Sequence, residues 1–223
     1  MATTRVKICG LNSTEAVAAA ATGDFAGFVF FRRSPRHVEP DTAARLAAAL
    51  PRSVWRVAVM VNPDDALLRR VFAPFRPDFV QLHGSETPER VAEIRHGFSV
   101  GVIKAVAIAN AGDLAQARRY ESVADWLMFD AKPPARADAL PGGNATTFDW
   151  RMLAGQRWDR PWFLSGGLNP ANVATAIRLT DAPAVDVSSG VEDRPGHKSV
   201  ELIREFLANA RASSAGTAPS PGR

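Results

Sequence analysis

Eight short apolar runs, separated by alanine-rich amphipathic stretches, set the tightest limit on how this chain folds. The runs are Val6–Cys9, Phe25–Phe31, Val54–Val61, Phe79–Leu82, Val100–Val106, Trp126–Asp130, Trp162–Ser165 and Ala184–Val187. They are rich in Val, Phe and Ile and mostly apolar on both faces, the pattern of parallel strands covered on both sides.

Helix signals fill the intervals. Asn12-Ser13-Thr14-Glu15 offers an N-cap with a glutamate close behind, followed by an alanine run and Gly23 just past its end. Pro40-Asp41 opens Thr42–Leu50, Pro63-Asp64 opens Asp65–Phe72, and Thr87-Pro88-Glu89 opens Arg90–Arg95. Asp113 starts Leu114–Tyr120, Phe148–Leu153 is a short candidate, and Asn169-Pro170 opens Ala171–Leu179. The last helix is expected over Ser199–Ala210, with Leu202, Ile203, Phe206 and Leu207 on one face.

Eight such units average about 26 residues each, compact for an eightfold barrel but sufficient. A doubly wound sheet would use fewer strands and a glycine-rich nucleotide loop after the first, and no G-x-G-x-x-G or G-x-x-x-x-G-K-[ST] is present. The expected fold is therefore an α/β single-domain (β/α)8 TIM barrel over residues 1–210. Residues 211–223, rich in Ala, Ser, Gly and Pro, are expected to form a disordered tail. The Pro/Gly-rich segment Ala131–Thr147 is too long for a plain connection, and such a loop is either functional, able to fold over a bound ligand as a partial lid, or disordered.

Composition narrows the class further. A single cysteine, Cys9, cannot form an internal disulfide, which suits a reducing compartment. No apolar run reaches the ~18–20 residues of a membrane span, and no apolar signal core precedes Arg5. A cytoplasmic protein is expected. The charge excess, 27 Lys plus Arg against 23 Asp plus Glu, is spread along the chain without a basic block or nucleic-acid motif. Nucleic acid is not expected as a partner, whereas an anionic small molecule fits the same balance.

In such barrels the active site lies at the C-terminal ends of the strands, so residues that end strands matter most. Cys9 ends the first run, His83 follows the fourth, and Asp130 ends the sixth. Arg36 sits in the loop after the second, and Lys104 lies within the fifth. Taken singly, a cysteine is commonly a small buried hydrophobe and a strand-end aspartate a helix cap. Their convergence on one rim favours chemistry. Ser165-Gly166-Gly167 after the seventh run and Asp186-Val187-Ser188-Ser189-Gly190 at the eighth suit a phosphate, because loops 7 and 8 commonly hold one. His37, His83, His96 and His197 are scattered and Cys9 has no cysteine partner, so no metal site is expected. A Ser-His-Asp hydrolase would need a G-x-S-x-G elbow, which is missing.

Ordered motifs then carry a resemblance. They are Lys7-Ile8-Cys9-Gly10-Leu11, Gly27-Phe28-Val29-Phe30 with Ser34-Pro35-Arg36, and Val80-Gln81-Leu82-His83-Gly84. Asp130-Ala131-Lys132, Gly142-Gly143-Asn144 with Phe148-Asp149-Trp150, and Leu164-Ser165-Gly166-Gly167-Leu168-Asn169-Pro170 continue the series. Val185-Asp186-Val187-Ser188-Ser189-Gly190-Val191-Glu192 completes it. From Val6 to about Ala210 the chain resembles the phosphoribosylanthranilate isomerases of tryptophan biosynthesis.

The resemblance implies a TIM barrel isomerase without a cofactor. Its reaction is the Amadori rearrangement of N-(5-phosphoribosyl)anthranilate to 1-(2-carboxyphenylamino)-1-deoxyribulose 5-phosphate. It further implies Cys9 as general base and Asp130 as general acid, with Arg36 on the anthranilate carboxylate. Gly166, Gly167, Ser188, Ser189 and Gly190 are implied as phosphate ligands, and Gln81 and His83 as pocket contacts. Asp186 is expected to orient its neighbours. The two roles place opposite demands on the site. Asp130 must carry a proton, aided by burial or a negative neighbour, whereas Cys9 must lose one, aided by cationic surroundings to which Lys7 is expected to contribute. Two other readings stand beside this one. An aminoimidazole ribotide isomerase-like barrel would carry paired aspartates in place of Cys9. A non-catalytic phosphate-ligand binding protein would not need both Cys9 and Asp130. Monomer and homodimer both remain open.

Overall fold

All eight apolar runs become strands, and the strands close on themselves. The structure, a computed structural model, describes residues 3–132, 142–143 and 147–215. The strands are β1 (Arg5–Cys9), β2 (Phe25–Val29), β3 (Trp55–Met60), β4 (Phe79–Leu82), β5 (Gly101–Ile108), β6 (Trp126–Ala131), β7 (Trp162–Leu164) and β8 (Ala184–Val187). Neighbours pair in parallel around the ring, and Val6 opposite Val185 closes β1 onto β8. The fold is the expected (β/α)8 barrel. Beyond β8, Glu192–Arg194 (β9) and His197–Lys198 (β10) form a two-stranded antiparallel hairpin that the periodicity does not reveal.

The helices are α1 (Thr14–Ala20), α2 (Pro40–Ala47), α3 (Asp65–Phe75), α4 (Pro88–Gly97), α5 (Ala111–Ala117), α6 (Val173–Thr180) and α7 (Val200–Ala215). Their starts follow local chemistry. The side chains of Ser13, Asp64 and Thr87 accept from the backbone N–H groups of Ala16, Leu67 and Arg90, and Asn110 with Asp113 forms a capping box. The final helix continues to Ala215, past the boundary expected at 210, and residues 216–223 lie outside the described residues. The candidate helix Phe148–Leu153 is a single 3-10 turn, Trp150–Leu153, capped by Asp149 and anchored by buried Leu153. One turn of apolar anchoring does not carry a longer helix.

Two apolar layers result. One fills the space between strands and helices, and the other fills the barrel. Inside the barrel, Phe25 meets Trp55, Phe79, Trp126 and Phe163 edge-on, with centroids 4.7, 5.9, 5.5 and 5.0 Å away. The Arg5 guanidinium caps this cluster, 5.0 Å from the Trp55 ring. These side chains lie toward the strand starts, so they fill the N-terminal end of the barrel interior, and the C-terminal mouth stays open. Phe25→Ala is expected to lower stability by about 3–5 kcal/mol, the cost of emptying a fully buried aromatic site. Urea unfolding measures it, and a loss below about 1 kcal/mol would show that the plug is not part of the stabilising core.

Candidate active site

Alternation along β1 turns Lys7 and Cys9 to the barrel interior, one above the other. Lys7 is fully buried, and its Nζ lies 2.7 Å from Asp186 Oδ1 on β8. Ser165 Oγ donates to the other oxygen of Asp186 at 3.2 Å. Asp186, expected to orient its neighbours, thus holds the buried ammonium beneath Cys9. Burial pushes the Lys7 amine down, but Asp186 and Cys9 together keep it above its ordinary value.

Cys9 ends β1 at the floor of the open mouth, 6% exposed. The base role that the resemblance implies calls for a lowered thiol, and burial works in the opposite direction. Burial pushes the thiol above its ordinary value and outweighs Lys7 and Lys198, which pull down, while Asp186 adds to the rise. The physical reason is that desolvation of the buried thiol exceeds the pull of Lys7, which the nearby Asp186 carboxylate partly offsets.

Across the mouth, β4 and β6 bring three polar side chains into line. Gln81 Nε2 lies 3.0 Å from His83 Nδ1, and His83 Nε2 lies 3.2 Å from Asp130 Oδ2. The other Asp130 oxygen accepts from the Ala131 N–H at 2.9 Å. Gln81 Oε1 is buried and has no hydrogen-bond partner among the described residues. Lys104, a strand-interior lysine with reactive potential on sequence grounds, belongs elsewhere. It is buried and donates to Glu86 at 2.8 Å and to the carbonyls of Leu82 and Gly84 at 3.2 and 2.8 Å. It therefore clamps the backbone on either side of His83 and stays outside the cleft.

Arg36 is 5% exposed and already engaged on one edge. Its Nε and Nη2 donate to Glu192 Oε1 and Oε2 at 2.7 and 2.8 Å. Lys198 Nζ reaches the same carboxylate at 2.7 Å and the Ser188 carbonyl at 2.8 Å. Burial pushes the Glu192 carboxyl up, but the Arg36 hydrogen bonds and the Lys198 charge hold it below the ordinary carboxylate range. Glu192 and Lys198 are absent from the candidates read off the sequence, because Arg36, the partner that brings Glu192 to the site, is 156 positions away in the chain.

Gly166 and Gly167 follow β7 with φ of 85° and 70°, a backbone region open to glycine without strain. They line the cleft with Ser188 and Ser189 from the turn after β8. Cys9, Arg36, Gln81, His83, Asp130 and Asp186 line it as well. Gly190, expected among the phosphate ligands, does not. It packs against loop 7, where a Cβ would collide with the Leu168 carbonyl oxygen. Its lack of a side chain lets loops 7 and 8 meet. Of the segment Ala131–Thr147, Gly142 and Gly143 also line the cleft, while residues 133–141 and 144–146 lie outside the described residues, and with them most of the candidate lid. Among the described residues no group of three or more His, Cys, Asp or Glu side chains is placed to hold a metal ion. No described helix is long and apolar enough to cross a membrane.

Comparison with known proteins places the chain in a family. The family model described as N-(5'phosphoribosyl)anthranilate (PRA) isomerase matches residues 6–209. The N-(5'-phosphoribosyl)anthranilate isomerase of Rhodospirillum centenum is 54% identical over 210 residues, covering 93% of this chain and 98% of that protein. That of Paracoccus denitrificans is 54% identical over 209 residues, covering 93% and 97%. The crystal structure of phosphoribosyl anthranilate isomerase from Thermotoga maritima superposes with a TM-score of 0.83 at 38% identity, covering 94% of this chain and 99% of that one. A crystal structure of a phosphoribosyl anthranilate isomerase in complex with reduced 1-(o-carboxyphenylamino)-1-deoxyribulose 5-phosphate superposes with a TM-score of 0.81 at 36% identity, covering 94% of this chain and 99% of that one. The chain belongs to the N-(5'-phosphoribosyl)anthranilate isomerase family.

Proposed function

We propose that the chain isomerises N-(5'-phosphoribosyl)anthranilate to 1-(o-carboxyphenylamino)-1-deoxyribulose 5-phosphate, with Cys9 as general base and Asp130 as general acid. One observation carries this reading: a single cleft at the open barrel mouth gathers a thiol, a carboxyl group, an arginine and two glycine/serine loops. Asp130 protonates the furanose ring oxygen, the C1–O bond breaks, and the nitrogen lone pair forms the Schiff base. Cys9 thiolate then removes the C2 proton, and the electron pair moves through C1 to the nitrogen, giving the enolamine. Protonation at C1 and loss of the 2-hydroxyl proton complete the ketone. Atoms and electrons balance without an external oxidant.

The supporting groups have matching tasks. The outer edge of Arg36, led by Nη1, faces the substrate carboxylate, because the inner edge is taken by Glu192. Gly166, Gly167, Ser188 and Ser189 form the phosphate end. Gln81 Oε1, a buried acceptor without a partner among the described residues, suits a substrate hydroxyl. Oligomeric state enters only by likeness: a Thermotoga maritima structure is described as monomers generated from a dimeric enzyme. Gel filtration with light scattering assigns monomer or homodimer here.

A fluorescence assay following loss of the phosphoribosylanthranilate substrate tests the activity, and no turnover above a heat-treated control overturns it. Arg36→Met is expected to raise KM about ten-fold or more, with a smaller fall in kcat, as one charged anchor is lost. An unchanged KM would show that the carboxylate meets another group.

A further inference from the structure

The β9–β10 hairpin lies outside the barrel rhythm, yet it carries the carboxylate with the most charged partners at the mouth. Glu192 has a 3% exposed side chain and four donors: Arg36 Nε and Nη2, Lys198 Nζ, and the Gly196 N–H at 3.1 Å. The hairpin is tied to the loop after β1, since Asn12 Nδ2 donates to the Gly196 carbonyl at 2.9 Å. It is tied to the turn after β8 through Lys198, which donates to the Ser188 carbonyl, while Ser188 Oγ donates to the Cys9 carbonyl at 3.2 Å. On its far side, the Arg36 guanidinium lies beneath Gly143, whose carbonyl accepts from Nη2 at 3.4 Å.

We infer that Glu192 is a positioning residue for both anionic ends of the substrate. It turns the outer edge of Arg36 toward the carboxylate, and through Lys198 it sets the Ser188–Ser189 turn beneath the phosphate. A bidentate carboxylate fixes the guanidinium plane, which a single contact could not do. Lys198 shares that carboxylate, so the distance between the two anion subsites is set by one side chain. The inference rests on the proposed roles of Arg36 and of loops 7 and 8.

Charge and positioning predict opposite signs, which makes the inference testable. Removing a negative group from an anion-binding cleft tightens anions if only charge matters. Loss of positioning weakens them. The experiment measures competitive inhibition of turnover by anthranilate and by inorganic phosphate, separately, in wild type, Glu192→Gln, Lys198→Met and Arg36→Met. For Glu192→Gln, both inhibition constants are expected to rise about ten-fold, with KM affected more than kcat. For Lys198→Met, only the phosphate constant is expected to rise, because the Arg36–Glu192 pair stays intact. Constants that fall, or an anthranilate constant that rises alone in Glu192→Gln, overturn the inference. An Arg36→Met enzyme with an unchanged anthranilate constant overturns the carboxylate reading beneath it. If Glu192→Gln does not fold, the wild-type enzyme still decides. The Arg36 Nε–H resonance, identified by its absence in Arg36→Met, is expected to resist exchange and to stay in place when anthranilate binds. A shift as large as that of the Nη protons overturns the inference.

Discussion

Cys9→Ala is expected to cut kcat by at least ~10²-fold while the barrel stays folded, the size of a general-base contribution. The fold should survive because the sulfur is a small group in a site that keeps its charge balance. Lys7 remains paired with Asp186 at 2.7 Å, so the substitution strands no buried charge. Stopped assays on purified protein give kcat, and a thermal melt near that of wild type separates a chemical loss from unfolding. Turnover close to wild type would remove Cys9 from the reaction. The raised thiol adds a pH signature. Thiolate is the competent form, and burial holds the titration above the ordinary thiol range. Turnover also needs Asp130 protonated, which works against this rise, so the thiol is read directly: its alkylation rate by iodoacetamide should climb with pH through and beyond the neutral range, about ten-fold per unit while Cys9 is mostly protonated. An alkylation rate already level across the neutral range would show that the thiol is not held up by burial.

Asp130→Asn is expected to be comparably disabled, by at least ~10²-fold in kcat, with KM changed far less. Asparagine keeps the shape of aspartate. Its amide oxygen can still accept from the Ala131 N–H, the bond that Asp130 makes at 2.9 Å, so the rim of β6 should hold its place. It cannot deliver a proton to the ring oxygen. Steady-state kinetics on the variant give the answer, and an active Asn enzyme would put the acid elsewhere in the cleft. His83, 3.2 Å from Asp130 Oδ2, is the nearest other titratable side chain to inspect in that event.

The barrel was legible because its determinants are local and repeated. Each strand shows as an apolar run, and most helices declare their start within four residues, as Ser13, Asp64 and Thr87 do. The limits fall where a segment is short or out of rhythm. The stretch before Leu153 reads as a helix yet forms one 3-10 turn, and the β9–β10 hairpin gives no periodic signal in five residues of strand. The candidate site was legible for a related reason. Strand ends of a barrel all reach one mouth, so Cys9, Asp130 and the loops after β7 and β8 converge once the fold is known.

Sequence alone determined the closed parallel ring, the mouth at which the candidate residues gather and the residue types that stand there. Only the tertiary structure decided how those groups are charged and aimed. Lys7 serves Asp186 before it serves Cys9, Gly190 spaces two loops and lies outside the cleft, and Arg36 offers one edge because Glu192 occupies the other. The physical reason is range. Periodicity and caps act over a few residues, whereas burial and ion pairing join groups 156 and 179 positions apart, and neither is written in the neighbours of either partner.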